Sequence, residues 1–310
     1  MLSFGSDPEF MLGKNGSIYS AIGIVPGSRK NRYRVNGHEF YYDNVLAECA
    51  IKPGYDKEET LFNFQECFQQ YAQIVQPFKL IPQAFQEYPK SQLKTKEAVI
   101  AGCKDETCAY TMMQKVPPQM VIKYSQKRSA GGHIHLGKEG WVRRQVDIFP
   151  IGVWDAAKAL DFFVGLPSVL MDIDKTTIQR KELYGHAGRF RKTDYGIEYR
   201  SLGNFWLASP KLVSMIHDLC VVALDFIEDE DNRNLFWNLN EDMLEEYPPN
   251  AYTYKCDIEN IRKAITEHDA KLSASLFAQF KKWIPKKLYK EITSLKYSKE
   301  YDFYKEWHID

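Results

Sequence analysis

Residues 130–137, Ala130-Gly131-Gly132-His133-Ile134-His135-Leu136-Gly137, read as a strand opened by two glycines. Residues two apart on an extended chain share a face, so His133 and His135 project together. Neutral imidazoles in that arrangement bind a metal or a phosphate, and the glycines let a ligand approach the backbone closely. The plainer alternative is a pair of packed or solvated histidines. Downstream, the run Gly188-Arg189-Phe190-Arg191-Lys192-Thr193-Asp194-Tyr195-Gly196-Ile197-Glu198-Tyr199-Arg200 leads into a second strand, expected over 196–202. There Glu198 and Arg200 share a face, and Arg189 and Arg191 add planar donors suited to phosphate oxygens. A surface strand carrying a same-face ion pair would read the same way.

Two acidic segments lie upstream. In Asp7-Pro8-Glu9 the carboxylates are two apart and point the same way on an extended chain. Pro8 removes a ladder donor and suggests a strand start. In Asp43-Asn44-Val45-Leu46-Ala47-Glu48, Glu48 stands among apolar residues, where an ionised carboxylate is costly unless a cation meets it. The alternatives are an edge strand with Glu48 facing water and a turn role for Asp43. Together, hard oxygen ligands suit a divalent cation such as Mg²⁺. Adding arginines and histidines points to a metal–nucleotide site for phosphoryl transfer. The sequence has neither a Walker-type Gly-Lys-Ser/Thr loop nor a Gly-x-Gly-x-x-Gly strand-to-helix turn, which disfavours P-loop and Rossmann readings.

The rest of the chain sets the fold class. Apolar segments flank the polar turn Gly13-Lys14-Asn15-Gly16, a hairpin signal. Residues 38–51 form a second extended stretch around Asp43-Asn44. Leu61, Phe64, Phe68, Tyr71 and Ile74 recur at helical spacing until Pro77. Strands are expected over 119–124 and 133–136, and a helix over 154–180 kinked near Gly165–Pro167. A further helix is capped by Ser209, has Pro210 in its first turn and runs to Ile227. From about 232 the chain is mostly helical, charged and aromatic, interrupted at Pro248–Pro249. Without a regular βαβ rhythm, α+β fits better than a doubly wound sheet.

The 310 residues carry 41 Lys+Arg against 41 Asp+Glu, so the chain lacks the basic surplus of a nucleic-acid coat or an anionic-membrane binder. Six scattered cysteines suit free thiols in a reducing cytosol. Cys103 and Cys108 have metal half-site spacing but no partner pair, and fit incidental thiols in a turn. MLSFGSDPEF has no basic leader, and the weakly polar run Phe162–Met171 is too short to span a bilayer. A soluble, cytoplasmic protein is expected.

SDPEF, GGHIHLG and YGIEYRSLGNFW, in that order, resemble the carboxylate–amine ligases of the glutamine synthetase and glutamate–cysteine ligase superfamily. They are most similar to the phage-type amidoligases, COOH-NH2 ligase type 2. The resemblance covers about residues 3 to 228. Asp7-Pro8-Glu9-Phe10 matches the acid-Pro-Glu-Phe motif of glutamine synthetases, His133-x-His135 their histidine motif, and Ile197-Glu198-Tyr199-Arg200 their Ile-Glu-x-Arg.

That resemblance implies a curved, mostly antiparallel sheet of glutamine-synthetase type with helices on its outer face. It implies a ligase domain over 1–231 and a helical extension over 232–310 packed on it. ATP and two Mg²⁺ or Mn²⁺ ions are the implied cofactors. Glu9 and Glu48 would hold one ion; Asp7, His133 and Glu198 the other. His135 would contact the nucleotide phosphates, Arg200 the transferred γ-phosphate, with Arg189 and Arg191 among the phosphate-binding arginines. Glutamine synthetases present two glutamates where this chain offers Glu48, with Asp43 as the substitute. The implied partners are a small-molecule, peptide or protein substrate bearing a carboxylate, and an amine donor, with no nucleic acid or membrane. If the chain is phage-encoded, the setting would be the host cytoplasm.

Two rivals differ in kind. His-x-His on a strand also opens metal-dependent amidohydrolase barrels, which need further His and Asp ligands; the remaining histidines, His38, His186, His217, His268 and His308, lack an evident metal-site context. The other rival is a non-catalytic nucleotide-binding or virion structural protein.

Overall fold

A computed structural model describes residues 1–99, 106–111, 114–115, 125–138, 152–229, 232, 258–295 and 301–310. The strand expected over 119–124, Cys103 and the Pro248–Pro249 break lie outside these residues. The first strands are β1 (Leu2–Ser6), β2 (Glu9–Lys14), β3 (Ser17–Tyr19), β4 (Tyr33–Val35), β5 (His38–Asp43) and β6 (Leu46–Ala50). Next come β7 (Lys79–Ile81), β8 (Phe85–Glu87), β9 (Glu106–Cys108), β10 (Gln114–Lys115), β11 (Lys127–Ser129) and β12 (Ile134–Lys138), then β13 (Arg189–Lys192) and β14 (Gly196–Tyr199). One sheet runs β1-β12-β14-β13-β9-β10 and the other β3-β2-β6-β5-β4, with β7 also on β2; β11 and β8 form a separate pair. Every ladder among the described residues is antiparallel. The sheets curl, and helices cover them, so the mixed α and β character expected from the sequence is present.

Local chemistry explains the turns. Asn15 and Gly16 both take positive φ (51° and 74°), the type I′ geometry that continues strand twist in a two-residue hairpin. Asn44 (φ 56°) opens the turn from β5 to β6, and its Oδ1 accepts from the Val45 N–H at 2.9 Å.

The sheet alternation separates core from site. Across the first sheet, Phe4, Leu136 and Ile197 are in register and join the hydrophobic core. The neighbouring row, Gly5, His135, Glu198 and Arg191, lies on the opposite face. In the second sheet Phe10 and Ala47 join the core, whereas Glu9, Glu48 and Tyr41 line up on the other face. Helix α1 (Lys57–Ile74) packs Phe64, Cys67, Phe68 and Tyr71 into the core. Its N-cap Asp56 accepts from the Glu59 N–H at 2.7 Å.

The helix expected over 154–180 is divided. It comprises α2 (Val153–Leu160), a π-helical turn (Asp161–Gly165), α3 (Leu166–Met171) and, after an extended break, α4 (Thr177–Leu183). Pro167, which has no N–H, sits where the ladder widens. Within the turn, Asp161 accepts from Tyr110 Oη at 2.8 Å and Tyr199 Oη at 2.6 Å, anchoring β14 from behind. Helix α5 (Pro210–Glu228) starts at its Ser209 cap as expected. Then come α6 (Ile258–Thr266), α7 (Ala270–Phe277), α8 (Lys286–Ser294) and α9 (Phe303–Glu306). Their residues Ile261, Phe277, Ile292 and Phe303 belong to the same core as Phe4 and Phe10. No helix among the described residues is long and apolar enough to cross a membrane.

Candidate active site

Pro8 immediately precedes β2, in keeping with its strand-start signal, and Asp7-Pro8 form the junction from β1, in one sheet, to β2, in the other. The two carboxylates therefore do not share one strand face, as an extended Asp7-Pro8-Glu9 would have them do. The chain changes sheets between them, and each carboxylate joins its own cluster.

In the first cluster, Asp7 Oδ1 lies 2.9 Å from His133 Nδ1 and 3.0 Å from His135 Nε2. His133 Nδ1 is 3.6 Å from Glu198 Oε1. Glu198 also accepts from Arg191 Nη1 at 2.6 Å and is directly bonded to Arg200 Nη1. Arg200 lies one residue beyond β14, tied to β13 by its N–H on the Arg189 carbonyl at 2.9 Å, and its Nη2 donates to Tyr184 Oη at 2.7 Å. Burial pushes the Asp7 carboxyl upward, but His135 and His133 beside it hold it well below the usual carboxylate range. Burial and the Asp7 charge likewise oppose ionisation of Glu198, and Arg200 with the two histidines keeps its pKa low. Arg191 and Arg200 on Glu198 give this cluster its own countercharge.

In the second cluster, among the described residues, one ion pair, Arg29 with Asp43, stands against three acids. Ligand oxygens of Glu9, Asp43 and Glu48 lie within 4.8 Å of one another. Glu48 is buried in β6, between β2 and β5, so the edge-strand alternative facing water does not hold. Its Oε1 accepts from Tyr41 Oη at 2.8 Å, while its buried Oε2 makes no hydrogen bond. Glu9 Oε2 accepts from the Gly131 N–H at 2.7 Å, and Asp43 Oδ2 meets Arg29 Nη1 at 3.0 Å. Burial, followed by the charge of Asp43, pushes Glu9 up to about 7. Burial and then Glu9 and Asp43 push Glu48 well above its ordinary range. Three crowded carboxylates, Glu48 buried and Glu9 and Asp43 half-buried, with one buried oxygen unpartnered, form a donor set that a hard divalent cation fits. Asp43, weighed only as a substitute ligand or a turn residue, is the third acid.

His135 forms a close donor group with Asp7 and Glu198, and His133 lies beside the same two acids. Arg191 shares that group through Glu198, whereas Arg189 stands apart, its Nε 3.7 Å from Glu106 Oε1. The other five histidines are outside both clusters; His38, for example, meets Glu66 at 3.1 Å.

Three polar residues were missed in the sequence. Buried Glu106 on β9 bridges Arg189 and Arg200, its Oε2 lying 3.5 Å from Arg200 Nε. Arg180 on α4 donates Nε to the Ala130 carbonyl at 2.9 Å, and its Nη1 and Nη2 to the Ser201 and Arg200 carbonyls, each at 3.3 Å. Asn204 bonds the Glu9 carbonyl through Nδ2 and leaves Oδ1 buried without a hydrogen bond. Asn204 lies within the quoted YGIEYRSLGNFW, a signal that was available; Glu106 and Arg180 belong to no recognisable motif.

A family model described as Phage phiEco32-like COOH.NH2 ligase-type 2 matches residues 121–309. The match takes in His133, His135, Arg189, Arg191, Glu198 and Arg200, and leaves Asp7, Glu9, Asp43 and Glu48 outside. It begins later than the resemblance drawn over about 3 to 228 and runs through the C-terminal helices. No curated protein matches the sequence. Among solved structures, the bifunctional glutathione synthetase from Pasteurella multocida is similar at 10% identity, with a TM-score of 0.41, over 94% of this chain and 51% of that one. The chain thus spans about half that protein's length, and a likeness this slight supports no functional statement.

Proposed function

The chain belongs to the phage phiEco32-like COOH.NH2 ligase-type 2 family, and from that premise we propose that it joins a carboxylate to an amine using ATP. The observation that carries the nucleotide part is the acidic trio Glu9, Asp43 and Glu48 with its one buried, unpartnered oxygen, beside a second group rich in arginine and histidine. In this reading Glu9, Asp43 and Glu48 hold one divalent ion, and Asp7, His135 and Glu198 a second. His133 orients Asp7. Bound ions would neutralise phosphate charge and favour transfer of the γ-phosphoryl group.

The reaction divides into two displacements. A carboxylate oxygen of the substrate attacks the γ-phosphorus as the bond to the ADP oxygen breaks, giving an acyl phosphate. The amine nitrogen then attacks the acyl carbon, phosphate leaves, and one amine proton passes to a carboxylate or solvent. Arg200 brackets the γ-phosphoryl oxygens, and Arg191 and Arg189 add positive charge along the same face. We assign the curled sheets to the glutamine-synthetase type, with 1–231 as the ligase domain and 232–310 as a helical extension of it.

Glu48→Gln separates this reading from an accidental acid cluster. Removing the buried member of three crowded acidic groups is expected to leave the metal-free protein as stable as wild type or more so. The stabilisation that Mg²⁺ confers on wild type, roughly 2.7 kcal/mol at a hundredfold excess over Kd, is expected to vanish. Thermal melts with Mg²⁺ and with EDTA check both. Equal Mg²⁺ stabilisation of the variant and wild type would remove Glu48 from the ligand set. ATP affinity unchanged by EDTA would remove the metal–nucleotide reading.

A further inference from the structure

A cavity of about 290 Å³ lies between the β13 end of the site and α6, lined by Cys108, His186, Ala187, Arg189, Glu259, Arg262, Lys263, Thr266 and Glu267. Its volume is at the bottom of the roughly 300–1,000 Å³ range of small-molecule sites, which suits a compact polar molecule better than a nucleotide. The charges around it are mixed: Arg189, Arg262 and Lys263 against Glu259 and Glu267.

The ordinary explanation for such charges is pairing along the helix surface, since Glu259, Lys263 and Glu267 are spaced four apart. Among the described residues no ion pair joins Arg262 or Lys263 to Glu259 or Glu267. Arg262 is instead stacked over Tyr110, its guanidinium 5.2 Å from the ring centroid. Stacking holds the group in place before a ligand arrives and lowers the ordering cost of binding. The neutral part of the lining, Ala187, Thr266 and buried Cys108, is small.

The cavity is connected to the candidate active site. Arg189 lines it and meets Glu106 at 3.7 Å, and Glu106 meets Arg200 at 3.5 Å. A molecule in the cavity therefore lies beside the chain of charges that ends at the residue assigned to the γ-phosphoryl group.

We propose that this cavity takes a free α-amino acid as one of the two substrates, its carboxylate received by Arg262 and Lys263 and its ammonium group by Glu259 and Glu267. The assignment deepens the ligase reading and rests on it for the word substrate; the binding itself does not. Both signs of charge around one small cavity complement a zwitterion, whereas a plain anion would face the two glutamates.

The test uses the full chain without nucleotide. Saturation-transfer NMR is run with each of the twenty common L-amino acids singly, and those that bind are titrated beside the matching amine lacking the carboxylate and the matching acid lacking the amine. At least one amino acid is expected to bind saturably, with each truncated analogue at least tenfold weaker. Arg262→Ala and the exposed-site variant Lys263→Glu are each expected to weaken it tenfold or more. Failure of all twenty to bind overturns the proposal, as does equal binding of the truncated acid or unchanged affinity in folded Lys263→Glu. Mg·ATP binding is measured separately on the same proteins. Its absence from wild type with amino-acid binding retained would overturn the ATP reading and leave the cavity assignment standing; the reverse pattern would overturn the cavity alone.

Discussion

Arg200→Lys is expected to bind ATP close to normally and to form acyl phosphate roughly 100- to 1,000-fold more slowly, a loss of about 3–4 kcal/mol of transition-state stabilisation. Arg200 is buried, with Nη1 on Glu198 and Nη2 accepted by Tyr184 Oη at 2.7 Å. Its Nε faces Glu106 Oε2 at 3.5 Å without a hydrogen bond. A planar fork fixed on two sides and unsatisfied on the third is oriented in advance and still has a donor to give. Lysine keeps the charge but offers a point donor that cannot bridge two phosphoryl oxygens while holding Glu198. Single-turnover trapping of the acyl phosphate with hydroxylamine reads the step, and a thermal melt guards against misfolding. Wild-type turnover in a folded variant would leave Arg200 as the ion-pair partner of Glu198 and favour a passive nucleotide-binding protein.

Much of this site was legible because period two is a strong constraint. His133 with His135, and Glu198 with Arg200, each share a face in the sequence and meet in the structure. The hairpin at Asn15-Gly16 and the Ser209 cap were legible for similarly local reasons. What failed was the expectation that Asp7 and Glu9 point the same way from one extended strand. Strand periodicity holds only within one strand, and the chain crosses between sheets at Asp7-Pro8.

Glu106 and Arg180 were invisible for a different reason. Each is a single charged residue in a segment without periodicity, and its importance comes entirely from distant partners: Arg189 and Arg200 for Glu106, and the carbonyls of Ala130, Arg200 and Ser201 for Arg180. Sequence reading prices such residues as surface charge. The same limit hid the cavity on α6, whose lining draws on β9, the segment before β13 and a helix 70 or so residues later in sequence. Both Glu106 and the cavity sit at the arginine-rich end of the site, so the tertiary contacts add chiefly to that end.

Arg180→Met is expected to destabilise the fold by about 3 kcal/mol, read as a lower urea midpoint at unchanged slope. Met approximates the length of the side chain, so the loss is of bonds more than of volume. Arg180 is fully buried, and its three bonds go to backbone carbonyls with no carboxylate in ion-pair range among the described residues. Removing it strips the donor from the Ala130 and Arg200 carbonyls, each buried loss costing roughly 1–3 kcal/mol. Ser201 keeps a donor, because Lys181 Nζ also reaches its carbonyl at 3.1 Å. Against this runs a gain: burial lowers the Arg180 pKa to about 10, so the native state already bears a desolvated cation that Met would relieve. Two lost bonds outweigh that relief, which sets the net near the middle of the range. The two carbonyls flank the chemistry, since Ala130 adjoins Gly131, whose N–H holds Glu9, and Arg200 is itself in the site. Arg180→Lys retains the cation but cannot reach three carbonyls, so its midpoint is expected between those of wild type and Arg180→Met. A midpoint for Arg180→Met within experimental error of wild type would show that water or backbone relaxation satisfies those carbonyls, and that Arg180 does not position the site.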